Sequence, residues 1–266
     1  MLKFLGIVLF AYALVVVTVW IWQRHFMYFP DTSRPHVADA QLLDLREVSL
    51  ETNDGLRLNS WFFPAKPGFL TLVYFQGNAG HYGDRLDVVN PYLAEGHGVL
   101  LVGYRGYGGN PGKPTENGLY ADGRAALGFL SKQGVSPSEI VLYGESLGSG
   151  VAIQMALETN VAGVILQAPF TSMVEVGKKH YPFLPVETLI KDRFDSLSKI
   201  PKINTPILFL HGLRDAIVPA DLGKKLYEAA NQPKTRHVYE DRGHNDLFGT
   251  QLVLHVKIFL DTLKIR

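Results

Sequence analysis

Three rhythms of apolar and polar positions run along this chain. From Phe4 to Trp22 it reads FLGIVLFAYALVVVTVWIW with no charged residue. At about 1.5 Å per helical residue this run covers close to the roughly 30 Å of a bilayer's hydrocarbon core. Trp20, Trp22, Tyr28 and Phe29 follow as aromatic groups suited to a membrane interface. A cleavable signal has an apolar core of about 7–15 residues ending in small residues. This run is longer and continues into Trp-Ile-Trp-Gln-Arg-His-Phe-Met-Tyr. The reading is a retained single span over residues 4–22, with a cleaved signal and a buried core helix as the alternatives. Lys3 and the terminal amine precede the span and Arg24 and Arg34 follow it, a nearly balanced charge pattern. The rest of the chain is read as lying on the non-cytoplasmic side.

A Pro-containing connector over 28–35 leads into the second rhythm. Leu45–Thr52 and Leu56–Phe63 are rich in strand formers and are joined by Asn53-Asp54-Gly55, a hairpin signal. Then come short apolar runs bounded by Gly, Pro or polar residues: 70–75, 99–102, 140–143, 164–167 and 207–210. Runs of that kind suit parallel strands buried on both faces. Helical periodicity, the third rhythm, fills the intervals at about 83–94, 115–132, 149–158 and 220–229, and closes the chain at about 246–263. Strand and helix in alternation specify an α/β domain, doubly wound and mostly parallel, over 35–266, with residues 1–34 as anchor and connector. One interval, about 170–205, carries Pro182, Pro185 and mixed charges. It reads as an inserted cap over one end of the sheet, or as an ordinary connecting helix with long loops.

Composition narrows the chemistry. The 266 residues include no cysteine, which excludes disulfides, thiolate metal sites and a cysteine nucleophile. With 26 basic and 25 acidic residues and a formal charge of +1, the basic surface of a nucleic-acid binder is missing. Apolar residues make up 47% and charged residues 19%, too apolar for a disordered chain.

Candidate chemistry centres on Gly144-Glu145-Ser146-Leu147-Gly148, which follows a strand-like run and opens a small-residue helix. A serine hydroxyl is a weak nucleophile unless a sharp strand-to-helix turn exposes it beside a base. His244, in Gly243-His244-Asn245-Asp246 after the strand-like 237–239, is the candidate base, and His81 is its rival. Asp215, just past the strand ending near His211, is the candidate orienting acid, with Asp241 and Asp192 as weaker alternatives. The backbone N–H groups of Leu147 and of Asn78, in Gln76-Gly77-Asn78-Ala79-Gly80, are the candidate oxyanion donors. Glycines 106, 108, 109 and 112 lack the spacing of a dinucleotide or phosphate loop.

The combination resembles the α/β-hydrolase superfamily, in its membrane-anchored, serine aminopeptidase-like branch. Tyr28-Phe29-Pro30, Gln76 to Gly80, Tyr104-Arg105-Gly106-Tyr107-Gly108, Gly144 to Gly148, His211-Gly212 with Asp215 and Val218-Pro219, and Gly243-His244-Asn245 carry the resemblance. Serine, acid and histidine also fall in that family's chain order. Gln76 and Gly103 depart from it, standing where the family usually has His and Asp. The resemblance implies hydrolysis of ester, thioester or amide bonds through an acyl-enzyme, with no cofactor and no metal. An acyl-containing small molecule, a lipid or an acylated protein is the expected substrate, and residues 4–22 the contact with the membrane. Acyl transfer to another acceptor, or a non-catalytic receptor role on the same fold, are the alternative functions.

Overall fold

The computed structural model describes residues 1–36 and 44–263, so 37–43 and 264–266 of the domain expected over 35–266 lie outside the described residues. The apolar amino-terminal run forms one helix, α1 (Leu2–Met27), in which no residue is buried. Its 26 residues have a mean hydropathy of 2.6 in the most apolar window. Among the described residues it is the one helix long and apolar enough to cross a bilayer.

The strands β2 (Arg46–Glu51), β3 (Arg57–Phe63), β4 (Thr71–Phe75), β6 (Gly98–Leu101), β7 (Ile140–Glu145), β8 (Gly163–Gln167), β9 (Ile207–Gly212) and β10 (Lys234–Tyr239) form one eight-stranded sheet. Two-residue strands β1 (Phe29–Pro30) and β5 (Ala79–Gly80) pair separately. The large sheet has the order β10-β9-β8-β7-β4-β6-β3-β2. β2 and β3 are the expected antiparallel hairpin, with Leu50 opposite Leu58, β3 meets β6 antiparallel, and every other pair is parallel. Charged Arg46, Glu47 and Glu51 on edge strand β2 disfavour pairing with another chain.

The inner strands are apolar along most of their length because the sheet is covered on both sides, and successive side chains point to opposite faces. In β4, Val73 and Phe75 join one core while Leu72 and Tyr74 join the other; in β7, Ile140 and Leu142 separate likewise from Val141 and Tyr143. Helices α3 (Glu116–Lys132), α4 (Leu147–Glu158) and α7 (Ala220–Ala229) fill the first core, and α2 (Leu86–Leu93) and α8 (Thr250–Leu263) the second. Thr115 caps α3 by accepting a hydrogen bond from the Gly118 amide at 3.0 Å.

Two helices start later than expected. The segment from residue 83 opens as a 3-10 turn, Tyr82–Arg85, before α2. The last helix starts at Thr250 rather than near 246, because Asp246 accepts the Gly243 amide at 2.6 Å and the Phe248 amide bonds back to the Asp246 carbonyl. A side chain engaged in a turn competes with helix formation. The interval 170–205 holds helix α5 (Met173–His180), the single turn α6 (Val186–Leu189) and a 3-10 turn at Ile200–Lys202.

Candidate active site

Ser146 stands between β7 and α4 with φ 51° and ψ −117°, a conformation that L residues avoid. Its amide donates to the Gln167 carbonyl of β8 at 2.8 Å, and its carbonyl accepts from Ser149 Oγ at 2.6 Å. The flanking glycines follow from close packing. A Cβ at Gly144 would lie 2.5 Å from the Ser149 Cα, and one at Gly148 only 2.0 Å from the Phe75 carbonyl oxygen. The strand can therefore turn into the helix only where both neighbours lack side chains. Gly148→Ala is expected to destabilise the fold by about 3 kcal/mol through forced backbone displacement, lowering Tm by roughly 6–12 °C in thermal unfolding.

Beneath the elbow, Glu145 accepts from Tyr74 Oη at 2.7 Å and from Arg85 Nε at 2.7 Å, with a second guanidinium contact at 3.2 Å. This half-buried ion pair and the tyrosine fix the residue before the serine. Sequence reading gave Glu145 no role; the motif position it occupies is variable in type, and Arg85 lies on a distant segment.

Asp215 and His244 are far apart in sequence and meet because their loops are laced together. The Leu213 amide bonds to the Tyr239 carbonyl at 2.8 Å and the Arg214 amide to the Arg242 carbonyl at 2.9 Å, continuing the parallel β9–β10 ladder beyond the strands. His244 Nδ1 then lies 2.7 Å from Asp215 Oδ2, and His244 Nε2 lies 2.9 Å from Ser146 Oγ. A carboxylate only accepts, so Nδ1 carries the proton and Nε2 is free to accept from the serine. The other carboxylate oxygen accepts from the Ile217 and Val218 amides at 2.9 and 2.7 Å. Burial alone would raise the Asp215 pKa. Hydrogen bonds from His211 and His244, the charge of His244 and the Val218 amide outweigh it, holding the carboxyl well below the ordinary carboxylate range.

His211 is the residue the sequence undervalued. It ends buried in β9, with Nε2 2.9 Å from the Val218 carbonyl and 3.4 Å from Asp215 Oδ2. It thus braces the acid loop, and its signal was the His211-x-x-x-Asp215 spacing. The rivals lie elsewhere: His81 caps the 3-10 turn with its ring 3.1 Å from Asp84, Asp241 is 3.8 Å from Arg242, and Asp192 pairs with Arg24 at 2.8 Å.

Leu147 provides the first amide of α4, where the helix dipole favours negative charge and the N–H has no intrahelical partner. The Gln76–Gly80 loop passes beside Ser146, since a Cβ built on Gly77 would lie 3.6 Å from the serine Cβ. Asn78 is held on three sides. Its carbonyl accepts from the Phe29 amide at 2.8 Å and from Tyr107 Oη at 2.9 Å, and its side-chain amide donates to the Met27 carbonyl at 2.9 Å. The stretch read as a connector is therefore built into this loop: β1 pairs parallel with β5, Tyr28 is buried in the core, and the Gly108 amide donates to the Asp31 carbonyl.

The two departures from the family pattern have different consequences. At Gly103 a Cβ would lie 1.9 Å from the Asn59 carbonyl oxygen, so no aspartate fits; the Asn59–Asn110 backbone and side-chain bonds tie the neighbouring loop instead. Gln76 is buried, and its side-chain amide has no hydrogen-bond partner among the described residues.

Comparison with known proteins agrees with this architecture. A family model described as alpha/beta hydrolase fold matches residues 71–193. An uncharacterized protein of Mycobacterium tuberculosis is 40% identical over 253 residues, covering 94% of this chain and 89% of its own. The alpha/beta hydrolase domain-containing protein 17B of Homo sapiens is 33% identical, covering 76% of this chain and 70% of its own. Among solved structures, an esterase of Pyrococcus furiosus superposes with a TM-score of 0.72 at 21% identity, over 90% of this chain and 98% of its own. The chain belongs to the α/β-hydrolase family.

Proposed function

We propose that this protein is a membrane-anchored serine hydrolase that cleaves an ester, thioester or amide bond through an acyl-enzyme. The observation that carries the reading is the continuous relay from Asp215 through His244 to Ser146, at 2.7 and 2.9 Å. Ser146 Oγ attacks the acyl carbonyl while His244 Nε2 takes its proton, and Asp215 stabilises the imidazolium. The oxyanion meets the amides of Leu147 and Asn78. Collapse of the tetrahedral intermediate expels the leaving group, which receives the proton from His244. Water, deprotonated by the same nitrogen, then attacks the acyl-enzyme, and release of the acid regenerates Ser146.

The anchor is α1, with the catalytic domain on the non-cytoplasmic side. Retention of the helix is supported by its lower end, where Gln23, Arg24 and Met27 all bond to the domain. The substrate is an acyl-containing small molecule, a lipid or an acylated protein. The test is turnover of ester, thioester and amide substrates of increasing acyl length by purified full chain. Hydrolysis of at least one class by wild type is expected; failure with all of them, in protein shown to be folded, contradicts the reading. Reporter fusions before and after α1 test the orientation, and a cytoplasmic carboxyl terminus reverses it.

A further inference from the structure

The cap's apolar tip and α1 run side by side. Along α1 the half-buried positions are Val16, Val19, Gln23 and Met27, a single stripe at helical spacing. The contacts follow that stripe in order. Arg24 pairs with Asp192 at 2.8 Å, Gln23 donates to the Leu189 carbonyl and accepts from the Lys191 amide, and the Lys191 ammonium lies 4.0 Å over the Trp20 ring. Farther toward the amino terminus, Tyr12 Oη donates to the Phe183 carbonyl at 2.9 Å. The step from Trp20 to Tyr12 is about 12 Å along the helix.

The tip itself is Tyr181-Pro182-Phe183-Leu184-Pro185, without a charge. Tyr181 is 47% and Phe183 64% exposed. It is joined to the catalytic face through His180 Nε2, 2.8 Å from the carbonyl of Ile217 in the acid loop. Ile217 and Leu213 of that loop also expose apolar side chains.

We infer that the tip, Tyr181 to Pro185, is a lipid-binding surface that enters the acyl region of the leaflet crossed by the carboxyl-terminal half of α1. This rests on α1 spanning the membrane. With Trp20 and Lys191 at the headgroup boundary, where an aromatic ring and a long cationic side chain are both stable, the Tyr12–Phe183 bond fixes Phe183 below it. That depth, about 12 Å, lies among the acyl chains, near the middle of a core roughly 30 Å thick. Lipid is the occupant that continuity with the span requires, since a surface bonded to Tyr12 shares the surroundings of Tyr12. The catalytic face, tied to the tip by His180, then opens at the leaflet, and acyl chains reach Ser146 from lipid rather than from bulk water.

The absence of cysteine allows a clean test. Full-length variants Phe183→Cys, Tyr181→Cys, Val8→Cys and Gln133→Cys each carry one environment-sensitive fluorophore and are reconstituted in phosphatidylcholine vesicles. Circular dichroism melts confirm that each is folded. The vesicles contain lipid with a shallow or a deep nitroxide quencher. Position 183, about 12 Å below Trp20, and position 8, about 18 Å below it, lie on either side of the midplane of a roughly 30 Å core, so both are expected to be quenched by the deep quencher, and position 181 by at least one of the two. Gln133, exposed at the amino ends of the strands, stays unquenched. Quenching at 8 but at neither 181 nor 183 overturns the inference, whether water or a second copy covers the tip. Loss of quenching at 8 as well overturns the anchor along with it, and neither result bears on the serine chemistry.

Discussion

Ser146→Ala is expected to lower kcat/KM by a factor on the order of 10⁶ on whichever ester the wild-type protein turns over best. That corresponds to about 8 kcal/mol of transition-state stabilisation. The hydroxyl is the only atom on the relay that forms a bond to the substrate, and neither His244 nor Asp215 can replace it. The variant should remain folded, because Ser146 Oγ bonds to His244 alone, while the backbone bonds at Ser146 are unchanged by the substitution. Comparison of kcat/KM with the thermal melt separates lost chemistry from lost structure.

The second large effect is at the acid. Asp215→Asn retains an oxygen for the Ile217 and Val218 amides but presents either an N–H to His244 Nδ1 or a neutral acceptor to it. An N–H there drives the imidazole proton to Nε2, and the ring can no longer accept from Ser146. The neutral acceptor leaves the developing imidazolium without its counter-charge. A fall in kcat of about 10⁴ is expected, near 5 kcal/mol, with KM changing much less. The carboxylate also couples stability to pH. Its folded pKa lies below the unfolded value, so its contribution is present above the ordinary 3.8 and is lost as pH falls through the depressed folded value. Moving from pH 7 to pH 5 therefore leaves Asp215 ionised, and the acid sensitivity it causes appears only below that range.

The candidate site was legible where chemistry and backbone share one local pattern. Gly144-Glu145-Ser146-Leu147-Gly148 announces itself because packing forbids side chains at two fixed offsets from the serine. Short apolar runs located β4, β6, β7, β8 and β9 because burial on both faces favours apolar side chains along most of each strand. Asp215 and His244 were singled out from loop position and chain order, and the fold brings both beside Ser146. What the sequence hid depends on long-range contacts between residues of ordinary type. His211 braces Asp215 through a ring nitrogen, Arg85 reaches Glu145 from another helix, and Phe29-Pro30 forms a strand only because Ala79-Gly80 is there to pair with it. Two-residue strands have no periodicity to read. The link between α1 and the Gln76–Gly80 loop was missed for that reason, although Tyr28-Phe29-Pro30 stood out in the sequence.

The central claim is that Ser146 is the nucleophile, and a fluorophosphonate reports it covalently. Phosphonylation, in which the serine oxygen attacks phosphorus and displaces fluoride while the base takes the hydroxyl proton, requires a serine activated by its base. Peptide mass spectrometry of the treated full-length chain is predicted to place a single adduct on Ser146, with none on Ser149, and to find none in Ser146→Ala or when a hydrolysed ester is supplied in excess. An adduct on another residue, or an unlabelled protein that still hydrolyses esters, would contradict the account.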